Sequence, residues 1–228
     1  MNSSISKKYK KVDVFIIVLF LVCLLVVGGT YAYIILPVTV TNGNYNAATT
    51  CFSIDYSATN DNGTLPITGV LFPSSGPSGG LFGKVAMKVN SSCKVNGKGT
   101  VTLNVTTGSD KLFQTVGSHC ENSKTLKTMV NYTTSSNCTA QTNGLWVTNG
   151  NALKYAIYNT NSISSSTVPL KVGYVNKTGS IVLYNNFDIT STQVNYYIYI
   201  WLDGNISDNS YANLSFNGYI SASANQVS

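Results

Sequence analysis

The alternation of apolar and polar positions after residue 50 is typical of short β-strands. In "FSIDY" the side chains of Phe52, Ile54 and Tyr56 fall on one face, because side chains alternate between the two faces of a strand. The same pattern occurs in "VAMKV" (residues 85–89) and "VTLNV" (residues 101–105). Further candidate strands are "LWVT", "LKYAIY", "VPLKVGYV", "SIVLYNNF", "VNYYIYIWL" and "SFNGYISASA". Gly-Asn and Asp-Gly pairs between such stretches indicate turns.

These strands predict an all-β fold over residues 51–228, an antiparallel β-sandwich of the jelly-roll-like kind. The strongest strand is "VNYYIYIWL" (residues 194–202), which is apolar on both faces and is therefore predicted to be central and covered on both sides. One stretch has no strand pattern: "NSKTLKTMV" (residues 122–130) is the candidate for a short helix.

The first fifty residues have a different pattern, which predicts an N-terminal hydrophobic signal or transmembrane helix. Residues 1–13 are a basic region, residues 14–36 the apolar helix and residues 37–50 a linker or donor segment. The uninterrupted apolar run of residues 14–27 spans about 21 Å as a helix, short of a hydrocarbon core of roughly 30 Å. That length suits a signal peptide, whereas extension through Leu36 suits a membrane anchor.

Small residues after the apolar run offer a signal peptidase site. Thr30 and Ala32 occupy the minus-three and minus-one positions, so that the mature chain would begin at Tyr33. The competing interpretation is an uncleaved single-pass anchor with its lysines in the cytoplasm. Both interpretations export the C-terminal domain, to the outer side of the cell membrane or, after cleavage, to the extracellular space.

The net charge of +6 does not indicate nucleic-acid binding. Four of the fourteen basic residues lie in the first eleven positions, where they act as a topogenic signal. The sequence contains no arginine, the residue that makes bidentate contacts with phosphate and guanine. We therefore expect no nucleic-acid partner.

The cysteines agree with export. Cys23 lies inside the apolar run, and the remaining four form an even set that suits two disulfides in an oxidising compartment. Three pairings are possible. We favour Cys51 with Cys93, which joins two strand-like segments, and Cys120 with Cys138, which closes the long segment between them.

The sequence shows no catalytic or metal-binding constellation. The single histidine, His119, lies next to Cys120, and we interpret it as a surface histidine beside a disulfide cysteine. The stretch "LPITG" (residues 65–69) matches a cell-wall attachment motif, but its position far from the C-terminus favours a strand or a turn. The prediction is a non-enzymatic protein without cofactors or bound metals.

Taken in order, these features resemble the TasA/camelysin-like exported proteins of Firmicutes and related low-GC bacteria, which carry a SipW-type signal peptide. The matching stretches are "GGTYAYII", "NYNAATTCFSIDYSATN", "LFPSSGPSGGLFGKVAMKVNSSC" and the closing "YYIYIWLDGNISDNSYANLSFNGYISASANQ". The metallopeptidase activity described for camelysins is not expected here, because no H-E-x-x-H motif occurs.

The resemblance implies an exported cell-surface or biofilm-matrix protein that self-assembles into fibres by β-strand donation. The donor strand would lie within residues 33–40, formed by Ile34, Ile35, Leu36, Val38 and Val40. The alternative is a membrane-anchored adhesin or glycan-binding module, whose exposed aromatic residues would stack on sugars.

Overall fold

The structure is a computed structural model that describes residues 51–58, 64–164 and 166–227. The predicted signal helix, cleavage site and donor strand, all within residues 1–50, lie outside the described residues. Within the described ranges, no helix has the length and apolar character needed to cross a membrane.

The described part of the chain consists mainly of β-strands, as predicted from the alternating pattern. The strands are β1 Phe52–Tyr56, β2 Leu65–Leu71, β3 Pro73–Ser74, β4 Leu81–Val89, β5 Asn96–Gly108, β6 Thr115–Val116, β7 His119–Asn122, β8 Gly144–Val147, β9 Gly150–Asn151, β10 Leu153–Tyr158, β11 Lys171–Tyr174, β12 Gly179–Ile189, β13 Val194–Asp203 and β14 Leu214–Val227. The helical elements are α1 Ser135–Thr139 and short 3-10 turns at Pro77–Gly79, Asp110–Phe113 and Asn209–Tyr211.

The longer strands form two antiparallel sheets. The first sheet has the order β1-β4-β13-β10-β11, with the two-residue β3 pairing parallel to the end of β13. The second sheet has the order β12-β5-β14-β2. Two small antiparallel pairs, β6 with β9 and β7 with β8, complete the described strands. An all-β, antiparallel fold is therefore confirmed.

The two sheets share one hydrophobic core. In β5 the side chains of Val101, Leu103 and Val105 point inward, and they form one cluster with Ile198 and Ile200 of β13 in the first sheet. Alternation places every second residue from Val101 to Val105 in β5 and from Tyr196 to Leu202 in β13 in this cluster. Burial of that apolar surface is the main driving force for the packing.

Two glycines of β5 let aromatic rings lie directly on the backbone. A side chain at Gly97 would begin 2.2 Å from the ring of Phe52, and one at Gly99 would begin 2.1 Å from the ring of Phe187. Real side chains cannot approach so closely, so only glycine allows this packing between the sheets.

Strand β13 is central and covered on both faces, as its sequence predicts. It lies between β4 and β10. Its inner residues join the main core, while Tyr199 and Trp201 form a second buried cluster on the outer face with Ala156 and Tyr158 of β10. The rings of Tyr158 and Tyr199 meet edge to face at 5.8 Å. At β10 and β13, the outer face of the first sheet is therefore buried and not exposed to solvent.

Residues 119–147, which we call the disulfide hairpin, follow a course that the sequence did not predict. The helix expected at residues 122–130 is wrong: the only α-helix among the described residues is α1. The side chain of Asn122 accepts hydrogen bonds from the backbone N–H groups of Lys124 and Thr125, and Leu126 has a positive φ of 52°. This local turn competes with helix formation and reverses the chain.

Both disulfides have the pairing that the sequence favours. Cys51 is bonded to Cys93 at one end of the β1–β4 pair, and Cys120 is bonded to Cys138 of α1, each with a Cα–Cα distance of 5.5 Å. The second bond holds α1 against the hairpin strand β7. The stretch "LPITG" forms most of β2, so it is a strand, one of the two structures that the sequence favoured.

Candidate functional site

A fully buried lysine lies on the outer face of the first sheet. Lys154 of β10 stands in register with Tyr174 of β11 on one side and with Trp201 of β13 on the other. Asp203, two residues beyond Trp201 on the same face, is the diagonal neighbour of Lys154. The twist and pairing of three strands thus place an amine beside a carboxylate.

The disulfide hairpin supplies the other half of this cluster. In β7 the side chains of His119 and Glu121 share one face, whereas Cys120 points to the opposite face and reaches Cys138. His119 is buried and hydrogen-bonded to Glu121, so the sequence-based prediction that it is a surface histidine is wrong. The reason is the hairpin, which lays this face of β7 against the first sheet.

The ammonium group of Lys154 has three close partners, one for each of its protons. Its Nζ atom lies 2.6 Å from Glu121 Oε1, 2.7 Å from Asp203 Oδ2 and 2.7 Å from the carbonyl oxygen of Leu126. All three donors are therefore satisfied, which is a condition for burying a charged amine.

In each of the two carboxylates, both oxygen atoms accept hydrogen bonds. Asp203 Oδ1 accepts from the backbone N–H and the side-chain amide of Asn205 at 2.9 and 3.0 Å, while Thr128 donates to Oδ2 at 2.8 Å. The hydroxyl of Tyr174 donates to Glu121 Oε2. Among the described residues, no buried side-chain nitrogen or oxygen is left without a partner.

The charges of the cluster shift the pKa of each acid. Burial by itself raises the pKa of Glu121, but the hydrogen bond from His119 and the charge of Lys154 bring it below the ordinary 4.5. For Asp203, burial is again outweighed, here by the charge and hydrogen bond of Lys154, so that its pKa lies below 3.8. Both side chains are therefore carboxylates at neutral pH.

His119 shifts in the opposite direction. Burial lowers its pKa, but the hydrogen bonds to Glu121 and to the carbonyl of Gly117 raise it more, to above the ordinary 6.5. Its Nε2 atom lies 2.6 Å from Glu121 Oε1 and its Nδ1 atom 2.7 Å from the Gly117 oxygen. Since both ring nitrogens face acceptors, the doubly protonated ring fits best. With two cations and two carboxylates, the cluster is then neutral.

These pKa shifts predict a bell-shaped dependence of stability on pH. The raised pKa of His119 contributes stability that is full below pH 6.5 and is lost as the pH rises through its folded-state value. The lowered pKa of Glu121 contributes stability that is full above pH 4.5 and is lost as the pH falls. We expect His119→Gln to abolish the alkaline decline and to keep the acid one, as measured by urea unfolding across pH. An unchanged alkaline slope in this variant would contradict the assignment.

A small pocket opens beside the cluster. It has a volume of about 220 Å³ and is lined by residues of the disulfide hairpin, including His119 and Thr128, together with Asn205 and Ile206. The histidine, threonine and asparagine each touch a carboxylate of the cluster. The pocket thus reaches side chains that hydrogen-bond to both buried carboxylates.

Three features of the sequence are signals for this cluster, although strand alternation alone does not single them out. Lys154 is the single charge in the otherwise apolar "LKYAIY", and Asp203 ends the apolar "YYIYIWLD". A charge in a strand that is buried on both faces needs a partner. The spacing of His119 and Glu121, two apart on a strand, places them on one face. What no pattern reveals is that the three segments meet.

The described residues offer no further constellation for chemistry. Among them, no group of three His, Cys, Asp or Glu side chains is arranged to hold a metal ion. The chain matches no family model, no curated protein and no solved structure.

Proposed function

We propose that this chain is a non-enzymatic, exported structural protein of the bacterial cell surface or biofilm matrix, as its resemblance to TasA/camelysin-like proteins implies. The observation that carries the proposal is the pair of disulfides, Cys51–Cys93 and Cys120–Cys138, which persist in oxidising compartments. The apolar segment within residues 14–36 directs export, and the domain then stays tethered outside the membrane or is released after Ala32.

The order of the strands supports a jelly-roll-like sandwich as the finer fold. Four strands of each sheet, β4-β13-β10-β11 and β12-β5-β14-β2, make up an eight-stranded arrangement. Along the chain the strands pass repeatedly from one sheet to the other, as in two linked Greek keys. Such a sandwich has four edge strands at which other strands can be added.

Strand β2 is the best accepting edge for a donated strand. Among the described residues its single partner is β14, and the seven paired positions run without a bulge. By contrast, the opposite edge strand β12 has two register shifts, which disturb a regular edge. The exposed Val70 of β2 and the adjacent Phe72 offer apolar surface to an added strand.

The donor segment fits such an edge by its pattern. In "YIILPVTV" (residues 33–40) the apolar Ile34, Leu36, Val38 and Val40 would share one face of a strand, and Ile35 adds an apolar side chain on the other face. A strand of this kind, added to β2 of a neighbouring copy, would satisfy open backbone groups and cover apolar side chains. Repetition from copy to copy makes a fibre.

The test compares exposed valines on the two edges of the second sheet. Val70→Lys places a charge beside the proposed accepting edge, and Val182→Lys places the same charge on β12, where no strand is expected to add. We expect Val70→Lys and a deletion of residues 33–40 to abolish fibres seen by electron microscopy, with the disulfides and circular dichroism retained. If Val70→Lys, Val182→Lys and the deletion of residues 33–40 all form fibres equally well, the mechanism of strand donation is wrong.

One observation favours the alternative of a glycan-binding adhesin. On the outer face of the first sheet, the exposed ring of Phe82 stacks on Tyr197 at 6.3 Å, with the Lys84 amine over the same tyrosine ring. Sugars stack on such aromatic faces. This alternative requires saturable binding on a glycan array that Phe82→Ala weakens, and an array without binding would count against it.

A further inference from the structure

The cluster around Lys154 has the parts needed to make a covalent bond between two strands. The amine and the carboxyl group of Asp203 touch in a site that the protein shields from solvent, with a second carboxylate, Glu121, touching the same amine. Condensation of free amines and acids is disfavoured in water. Here the fold holds the amine and the carboxyl group in contact. The reaction is therefore effectively unimolecular and needs no encounter in solution.

We propose that Lys154 and Asp203 condense to an intramolecular amide bond, with Glu121 as the proton carrier. This inference is independent of the proposed function. It assigns a self-catalysed modification site that links the central strand β13 to its neighbour β10.

Asp203, and not Glu121, is the acid that reacts. Two N–H groups of Asn205 point at Asp203 Oδ1, so negative charge that develops on this oxygen during attack is stabilised. The other oxygen, Oδ2, contacts the Lys154 amine and the hydroxyl of Thr128 and is the one to leave. The two oxygens of Glu121 accept hydrogen bonds, one from His119 and one from Tyr174. These donors keep their protons in the reaction, so Glu121 can take up a proton and release it again, as a proton carrier must.

The reaction balances without any co-reactant. The Lys154 ammonium gives one proton to Asp203 Oδ2, and the resulting amine attacks the carboxyl carbon, so that an N–C bond forms and Oδ1 becomes negative. Glu121 removes a second proton from the nitrogen and passes it to Oδ2. The C–Oδ2 bond then breaks, the carbonyl is restored and one water leaves. Ammonium and carboxylate have become amide and water.

The surroundings suit both the product and the released water. The amide nitrogen keeps a single N–H, and the carbonyl oxygen of Leu126, 2.7 Å from Nζ, remains as its acceptor. The pocket lined by His119, Thr128 and Asn205 provides the exit for water. The product also removes one positive and one negative charge from a buried site, which lowers the cost of desolvation.

A tryptic digest of the folded, full-length protein tests this directly, after denaturation and reduction. Trypsin cuts after lysine, so an unmodified chain yields the separate peptides 128–154 and 178–228. The condensed chain yields a branched peptide, 128–171 joined to 178–228, lighter than the sum of its parts by one water and uncut after Lys154. We expect the branched form to predominate, and fragmentation to place the bond at Asp203. Recovery of only the linear peptides would overturn the proposal.

The same digest contains an internal control. Lys98 and Asp188 approach to the same 2.7 Å, but the aspartate side chain is 78% exposed. If proximity alone gave cross-links in the digest, this exposed pair would also show one. We expect normal cleavage after Lys98, because water competes at the surface.

The variant Glu121→Gln distinguishes the role of Glu121 as proton carrier from its role in holding the folded structure together. Glutamine keeps the size and an acceptor for Lys154 but does not pass the proton on, so we expect condensation to slow by about 10² to 10⁴-fold. Circular dichroism and the intact Cys120–Cys138 bond check that the variant is folded. An unchanged rate of branched-peptide formation would overturn the role of Glu121.

Discussion

Replacement of Lys154 with methionine is expected to lower the free energy of unfolding by about 3 to 5 kcal/mol relative to the wild-type chain before condensation, the cost of breaking a buried ion pair from one side. Methionine fills a similar volume but has no charge. Glu121 and Asp203, both buried, are then left facing each other without the amine that balances them. The variant also lacks the nitrogen required for the proposed amide bond, so its digest must contain no branched peptide.

Urea unfolding at neutral pH measures this loss, with Lys171→Met as the matched control. Lys171 lies on β11 and is exposed, so its replacement should change the free energy of unfolding by no more than about 0.5 kcal/mol. Acid should narrow the difference between Lys154→Met and the wild type, because protonation neutralises the unpaired carboxylates. Equal effects of the two replacements would show that the cluster does not stabilise the fold.

The second large effect is expected for the disulfide between Cys51 and Cys93. The double variant Cys51→Ala/Cys93→Ala opens a loop with a sequence separation of 42. In the chain-entropy model such a loop is worth about 4 kcal/mol, against about 3 kcal/mol for the Cys120–Cys138 loop with its separation of 18. The first bond also closes the end of the β1–β4 pair, where β1 is an edge strand with one partner in the described residues.

The two double variants can be compared by urea unfolding under non-reducing conditions. We expect both to unfold at lower urea concentration than the wild type, with the larger shift for the Cys51/Cys93 variant. Reductant breaks every remaining disulfide and should therefore abolish the differences in unfolding between the wild type and the two double variants. A loss below about 1 kcal/mol for the Cys51/Cys93 variant would mean that the reduced loop already retains its structure.

Particular stretches show why so much of the fold could be predicted. The alternation in "FSIDY", "VAMKV" and "VTLNV" identified β1, β4 and β5, and the double-sided apolar "VNYYIYIWL" identified the central strand. In each case a local period of two determines which face is buried. The helix prediction for residues 122–130 failed for a different reason. The course of this segment depends on the Asn122 turn and on the disulfide between Cys120 and Cys138, and a helical period detects neither.

The candidate site was missed for a different reason. His119, Glu121, Lys154 and Asp203 come from the hairpin strand β7, from β10 and from the end of β13. The sequence separation between Lys154 and Asp203 is 49. Each was visible as a polar residue in an apolar or strand-like stretch, but no local rule pairs residues so far apart.

By itself, the sequence determined that residues 51–228 fold mainly as antiparallel strands, and it favoured the observed pairing of the cysteines and a strand or a turn for "LPITG". These properties follow from side-chain alternation, from turn residues and from the even set of cysteines, all of which act over short stretches. Only the tertiary structure decided that a buried amine and two buried carboxylates meet on the outer face of the first sheet. Strand order and the docking of the disulfide hairpin create that contact, because burial makes isolated charges costly and so holds oppositely charged side chains together.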